Sequence, residues 1–240
     1  MENLDALIRK LVVANRILAA EGVVDAFGHI SVRHPGHPGR YLLSRSRSPE
    51  LVQVDDIMEF EMDGTAVDLQ GRTPYLERFI HGAVYLARPD VISVVHSHSY
   101  EVIPFGVSKT PLRPIFHSAG RIGSPVPVWD IRDKFGDGKM MVENMEHGRD
   151  LCSCLGNCAV ALMRGHGCVV TAPSIEDAVL TSIYLRVNAR LQMDAMRMGE
   201  VTYLSPGEVI INSQQKDRRV GNARAWEYLC SRSKIDIDAL

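Results

Sequence analysis

Two histidines one residue apart, His96-Ser97-His98, follow directly on the apolar run Val91-Ile-Ser-Val-Val95. Alternate residues of a strand point to the same face, so two imidazoles at this spacing converge on one point in space. Imidazole is the commonest protein ligand for a divalent transition metal, and a catalytic site takes three or more protein groups while leaving a position open. The pair therefore predicts half of a metal centre. Two further residues qualify for the rest. His166 lies in Arg164-Gly165-His166-Gly167, after the apolar stretch 159–163, where flanking glycines allow a sharp turn and a close approach to the ring. Glu77 lies in Tyr75-Leu-Glu-Arg-Phe-Ile-His81, read as mid-helix, so that a helix packed back on the histidine strand aims its carboxylate at the same point. Singly, a glycine-flanked histidine reads as a turn residue and a mid-helix glutamate as a surface charge, and His81, one turn on, offers a competing Glu-x-x-x-His pair. As a set, Glu77, His96, His98 and His166 make three nitrogens and a carboxylate suited to Lewis-acid chemistry. Manganese or zinc comes first, and cobalt or iron(II) is also compatible.

The elements that must position these residues follow from periodicity. Leu4, Leu7, Ile8, Leu11, Val12, Asn15 and Leu18 recur at helical spacing with Gly22 as a stop, predicting an amphipathic helix over 3–20. Short strands are expected at 29–33, 41–43 and 57–62, then a helix over 74–87 closed by Arg88-Pro89 ahead of the histidine strand. Further strands are expected at 114–117, 126–129 and 159–163, with a helix over 140–155. Ser174-Ile-Glu-Asp177 starts a long helix reaching 198, and a last helical stretch spans 221–231 around Trp226. Interleaved strands and helices without repeats or linkers predict one α/β domain over residues 1–240, with helices covering a central sheet.

Composition narrows the function. A net charge of -2 and a pI near 6.5 give no global attraction for nucleic acid or an anionic membrane. No apolar run reaches the ~18 residues of a membrane span, and the acidic start with Glu2 and Asp5 has no signal-peptide pattern, so a cytoplasmic protein is expected. The five cysteines argue against a disulfide framework, and Cys152, Cys154 and Cys158 lack the spacing of a zinc knuckle.

Glu77, the His-x-His at 96 and 98 and the Gly-His-Gly at 166, in this order, resemble the class II aldolase/adducin family, and the resemblance runs from Gly28-His-Ile-Ser-Val-Arg33 to the long helix after His166. It implies a single three-layer α/β/α domain around a mainly antiparallel sheet, assembled as a homotetramer with active sites at subunit boundaries. It also implies that Glu77, His96, His98 and His166 hold the divalent metal, with Glu77 doubling as a catalytic base. The family's sugar-phosphate aldolases hold phosphate with a Thr-x-Thr-Gly-like loop, an Asn after the first Gly and a Ser-Ser pair before the metal-binding Glu. Here those places read Ser44-Arg-Ser-Arg47, Gly28-His29 and Tyr75-Leu76. Two guanidiniums, Arg45 and Arg47, suit a planar carboxylate better than a phosphate, although both also fit an exposed basic loop.

This version of the pattern is similar to the family's decarboxylase branch. It implies a metal-dependent carboxy-lyase for a hydroxylated aromatic or pyridine dicarboxylate, such as dihydroxyphthalate or the 3-hydroxy-2-methylpyridine-4,5-dicarboxylate of vitamin B6 breakdown. The metal would chelate the ring hydroxyl and the adjacent carboxylate, Arg45 and Arg47 would anchor a second carboxylate, and His29 would hydrogen-bond the substrate. His117, near the place where the family's aldolases carry a tyrosine from the neighbouring subunit, is expected as general acid, against a structural histidine on a strand. The alternatives are an aldolase for a non-phosphorylated 2-oxo acid and a non-haem iron oxygenase. A non-catalytic, adducin-like protein is disfavoured because all four ligands are kept.

Overall fold

In a computed structural model, which describes residues 3–213 and 218–233, the short apolar runs of the sequence become one seven-stranded sheet. Its strands are β1 (His29–Arg33), β2 (Arg40–Ser44), β3 (Ile57–Glu61), β4 (Ser93–Ser97), β5 (Val128–Trp129), β6 (Val160–Met163) and β7 (Gly167–Ala172), in the order β3-β2-β1-β4-β7-β6-β5. Every pairing is antiparallel except β5 with β6, so the sheet is mixed but mainly antiparallel. The helices are α1 (Leu4–Ala20), α2 (Arg78–Ala87), α3 (Ile103–Val107), α4 (Arg132–Phe135), α5 (Met145–Leu155), α6 (Ile175–Met198), α7 (Pro206–Ser213) and α8 (Arg218–Arg232).

Side-chain alternation along the strands splits the core in two. Ile30, Val32, Val95 and Val170 face α1 and α6, where they pack with Leu11, Ile17, Val179 and Ile183. Val94, Ala161, Met163 and Val169 face the other way and pack with Ile80, Val84 of α2 and Leu151, Leu155 of α5. A sheet with a buried layer on each face is the expected three-layer arrangement. No helix among the described residues is long and apolar enough to cross a membrane. The five cysteines are free, and burial pushes the Cys152 thiol up to about 12, consistent with inert core thiols rather than a zinc knuckle.

Four local expectations need correction, and each has a backbone cause. The helix expected from 74 begins only at Arg78, because Pro74 bridges to Arg45 and Ser46 N–H donates to the Thr73 carbonyl, which keeps this stretch extended. The helix expected from 140 begins at Met145, capped by the Asn144 side chain, and Met140 before it sits at φ 59. Residues 114–117 form no strand. The Pro114 carbonyl accepts from Leu204 N–H and Ile115 N–H donates to the Asn188 side chain, so these groups do not pair with another strand; His117–Ile122 is a 3-10 helix. Finally, β7 is a strand that the pattern reading missed, and it lies between β4 and β6.

Candidate metal centre

Register brings the site together. In the β1–β4 ladder His29 lies opposite His96 and Ser31 opposite Val94, so these side chains share one face of the sheet. Helix α2 lies on that face, with Glu77 as its N-cap and His81 and Tyr85 one and two turns beyond, all along one side of the helix. Glu77 is therefore a helix-start residue rather than a mid-helix one. Its carboxylate lies where the helix dipole favours negative charge.

The four expected ligands meet. His98 Nε2 lies 3.1 Å from His96 Nε2 and 2.9 Å from His166 Nε2. Glu77 Oε2 lies 3.3 Å from His96 Nε2 and 3.4 Å from His166 Nε2. One ligand atom from each residue falls within 4.8 Å of all the others. The glycines beside His166 act as the sequence suggested: Gly165 takes φ +65, and a Cβ on Gly167 would fall 2.1 Å from the Ser97 carbonyl oxygen, so β7 packs against β4 at a distance only glycine permits.

The chemistry of the donors fits a divalent cation. His96 Nδ1 lies 3.1 Å from the Cys168 carbonyl oxygen, which only accepts, so the proton sits on Nδ1 and Nε2 presents a lone pair to the cluster. Burial and the neighbouring His96 and His166 rings push His98 down to about 4, leaving it neutral near pH 7. Burial works to raise the Glu77 carboxyl, but His96 and His166 hold it well below the usual range. Its other oxygen accepts from Val142 N–H at 3.0 Å. Three imidazoles and a carboxylate in mutual contact form a set that a cation among them would stabilise.

The cluster opens onto a cleft of about 560 Å³. Phe27, Tyr75, Met140 and Met141 give it apolar walls, while His29, Ser46, Arg47, Ser48 and Lys139 supply polar groups. Arg47 and Arg45 both pair with Asp56, at 2.8 and 2.5 Å. Arg47 lines the cleft with N–H donors to spare; Arg45 is not among the lining residues. Lys139, paired with Glu143 at 3.0 Å, is a second cation that sequence reasoning did not single out. It lies just before the segment hooked to Glu77 through Val142.

His117 lies elsewhere. It is exposed, its Nε2 is 3.1 Å from Ser118 Oγ, and it lines a separate cleft with Arg121, Tyr184, Asn222 and Tyr228. Within one chain it does not line the metal cleft. His81 is not one of the metal-cluster residues; it bonds to His29 Nδ1 at 2.6 Å instead.

Comparison with known proteins places these features in a family. The family model described as Class II Aldolase and Adducin N-terminal domain matches residues 9–193. Decarboxylase tropJ of Talaromyces stipitatus is 33% identical over 204 residues, 80% of this chain and 77% of that one. A 3,4-dihydroxyphthalate decarboxylase of Terrabacter sp. is 26% identical over 234 residues, 93% of this chain and 96% of that one. The crystal structure of an aldolase II superfamily protein from Pseudomonas syringae superposes with a TM-score of 0.79 at 21% identity, covering 98% of this chain and 94% of that chain. At that identity the structural likeness speaks for the fold alone.

Proposed function

Because the chain belongs to the class II aldolase and adducin family, we propose that it is a divalent-metal-dependent carboxy-lyase, removing CO2 from an ortho-hydroxylated aromatic or pyridine dicarboxylate. One observation carries the reading: the cluster of Glu77, His96, His98 and His166 opens onto a cleft with apolar walls and two cations, Arg47 and Lys139. A flat ring with a second carboxylate matches such walls and cations better than a sugar phosphate would. The two relatives named above, both decarboxylases, support the same chemistry.

Glu77, His96, His98 and His166 would hold the ion. When bound, it would supply Lewis-acid stabilisation for the electron pair left as the carbon–carbon bond breaks, and a ring hydroxyl ortho to the leaving carboxylate would let the substrate chelate it. The protein does the rest. Arg47 pairs with the remote carboxylate, held in place by Asp56 and aided by Lys139, while Arg45 serves through Asp56. Phe27, Tyr75 and the two methionines enclose the ring and exclude water. His29 hydrogen-bonds a substrate oxygen. Glu77 would enter as a ligand, and as the catalytic base that the resemblance implies. His117 lies on a separate cleft of its own chain, so it would deliver the proton that replaces CO2 only across a subunit boundary of the tetramer that the resemblance implies.

The test is a pair of substrates differing only in the ortho hydroxyl. Turnover of 3,4-dihydroxyphthalate or a 3-hydroxypyridine dicarboxylate with CO2 release, and none of the deoxy analogue, is expected. Equal turnover of both contradicts chelation, and an aldehyde product from a 2-oxo acid points to the aldolase reading instead.

A further inference from the structure

Behind the cleft, away from the metal cluster, four side chains form an unbroken buried chain. His29 Nδ1 lies 2.6 Å from His81 Nε2, His81 Nδ1 lies 2.6 Å from Ser31 Oγ, and Ser31 Oγ lies 2.7 Å from Tyr85 Oη. All four residues are almost wholly buried. At the cleft end, His29 lines the cavity with its Nδ1 engaged, so Nε2 is the nitrogen left for a ligand. At the far end, Tyr85 Oη meets the Val94 backbone N–H, a donor, and the Ile92 carbonyl, an acceptor, at 3.4 Å.

Hydrogen counting fixes the direction of this chain. Neutral histidine, serine and tyrosine each bring one mobile hydrogen, and each of the three links accommodates one. Three arrangements fill every link without placing two hydrogens in one; in one of them His29, His81 and Tyr85 all donate inward and the Ser31 hydroxyl hydrogen leaves the chain, where no acceptor meets it among the described residues, so two remain. In the first, all bonds point toward the cleft: Tyr85 donates to Ser31, Ser31 to His81 Nδ1, His81 Nε2–H to His29 Nδ1, and His29 carries its hydrogen on Nε2. In the second, all bonds reverse, His29 Nε2 is a lone pair, and the Tyr85 hydroxyl must donate to the Ile92 carbonyl. That last bond is longer than hydroxyl hydrogen bonds run, and the same carbonyl already accepts from Arg33 N–H at 2.9 Å. The first arrangement uses only the short contacts. Burial, which pushes His81 down to about 3 and His29 well below its ordinary value, agrees with the neutral count.

We infer that His81, Ser31 and Tyr85 are positioning residues that lock His29 as a neutral Nε2–H donor facing the cleft. The consequence is specific. Locked this way, His29 has no Nε2 lone pair for a metal, although its ring lies only 5.2 Å from that of His96. It also cannot act as a base toward the substrate. It can donate to an oxygen on which negative charge gathers as CO2 leaves, a role that rests on the decarboxylase reading, whereas the tautomer does not.

The experiment is long-range 1H–15N spectroscopy of the histidine rings in the full-length 15N-labelled protein with zinc added, the His29 signals being assigned by comparison with His29→Gln. The wild-type spectrum should place the His29 hydrogen on Nε2. In His81→Leu the His29 ring should populate both tautomers, and kcat should fall roughly 10- to 100-fold while KM moves less than about threefold. His81→Gln, whose amide still donates to His29 Nδ1, should keep the tautomer and most of kcat. If His81→Leu does not fold, Ser31→Ala, which removes the donor to His81 Nδ1, should give the same mixture of tautomers. An Nδ1-protonated His29 in the wild type overturns the inference, as does a tautomer and kcat unmoved by His81→Leu. A correct tautomer in a protein that releases no CO2 from any substrate leaves the lock standing and removes the proposed function.

Discussion

His166→Ala is expected to lose its metal and its turnover while keeping its fold. His166 sits in the turn between β6 and β7, outside either strand, and its only described backbone bond at N–H, to the Met163 carbonyl, survives the substitution. Its Nε2 is central to the cluster, 2.9 Å from His98 and 3.4 Å from Glu77. Removing one of four ligands forfeits several kcal/mol of charge stabilisation, a rate loss of roughly a thousandfold or more. Metal content per chain, circular dichroism and steady-state turnover check the three parts of the expectation. A variant with full metal content and turnover within about tenfold of the wild type would remove His166 from the centre.

Gly167→Ala is expected to show a large loss of stability. The added Cβ would meet the Ser97 carbonyl oxygen at 2.1 Å, its carbon at 3.0 Å and the His98 Cα at 3.2 Å. All three are backbone atoms of the strand that carries the histidine pair, or of the residue just beyond it, so no side chain can swing aside. Strands β4 and β7 are central in the sheet, and relief requires them to part by about an ångström. A cost of roughly 3 kcal/mol follows, lowering Tm by about 6–12 °C in a chain of this size. The displaced strand carries His96, with His98 just beyond it, so metal affinity should fall as well. Thermal melting and a metal titration read both effects; a Tm within about 2 °C of the wild type would show that the close approach is not rigid.

The four residues of the candidate metal cluster were the most legible part of the site, for a physical reason. A two-residue spacing on a strand fixes side-chain direction whatever the rest of the chain does, so His96 and His98 could be paired from sequence. Gly165-His166-Gly167 declared its turn and its close packing through glycine. The polar end of the cleft was less legible because it depends on long-range contacts. Arg45 and Arg47 looked equivalent in sequence, yet a single distant carboxylate, Asp56, engages both and leaves only Arg47 lining the cavity. Lys139 carries no motif of its own, and it reaches the cleft because the residues after it are not the expected helix: Met140 takes a positive φ and Val142 N–H is held by Glu77. β7, Gly167–Ala172, carries a β-branched run, but it follows the Gly-His-Gly turn directly and has no polar alternation to mark it as a strand. The His29–His81–Ser31–Tyr85 chain could not be read at all without the β1–β4 register and the placement of α2 above it.

The central claim is that CO2 release depends on a divalent ion held by Glu77, His96, His98 and His166. The most direct measurement strips the protein with a chelator, returns manganese, zinc, cobalt or iron(II) one at a time without oxygen, and follows CO2 release from 3,4-dihydroxyphthalate and a 3-hydroxypyridine dicarboxylate against metal content. The expected result is no release from the stripped protein, recovery in proportion to bound metal up to one ion per chain, and no recovery in His166→Ala. Undiminished CO2 release from a metal-free protein, or equal recovery in His166→Ala, would contradict it.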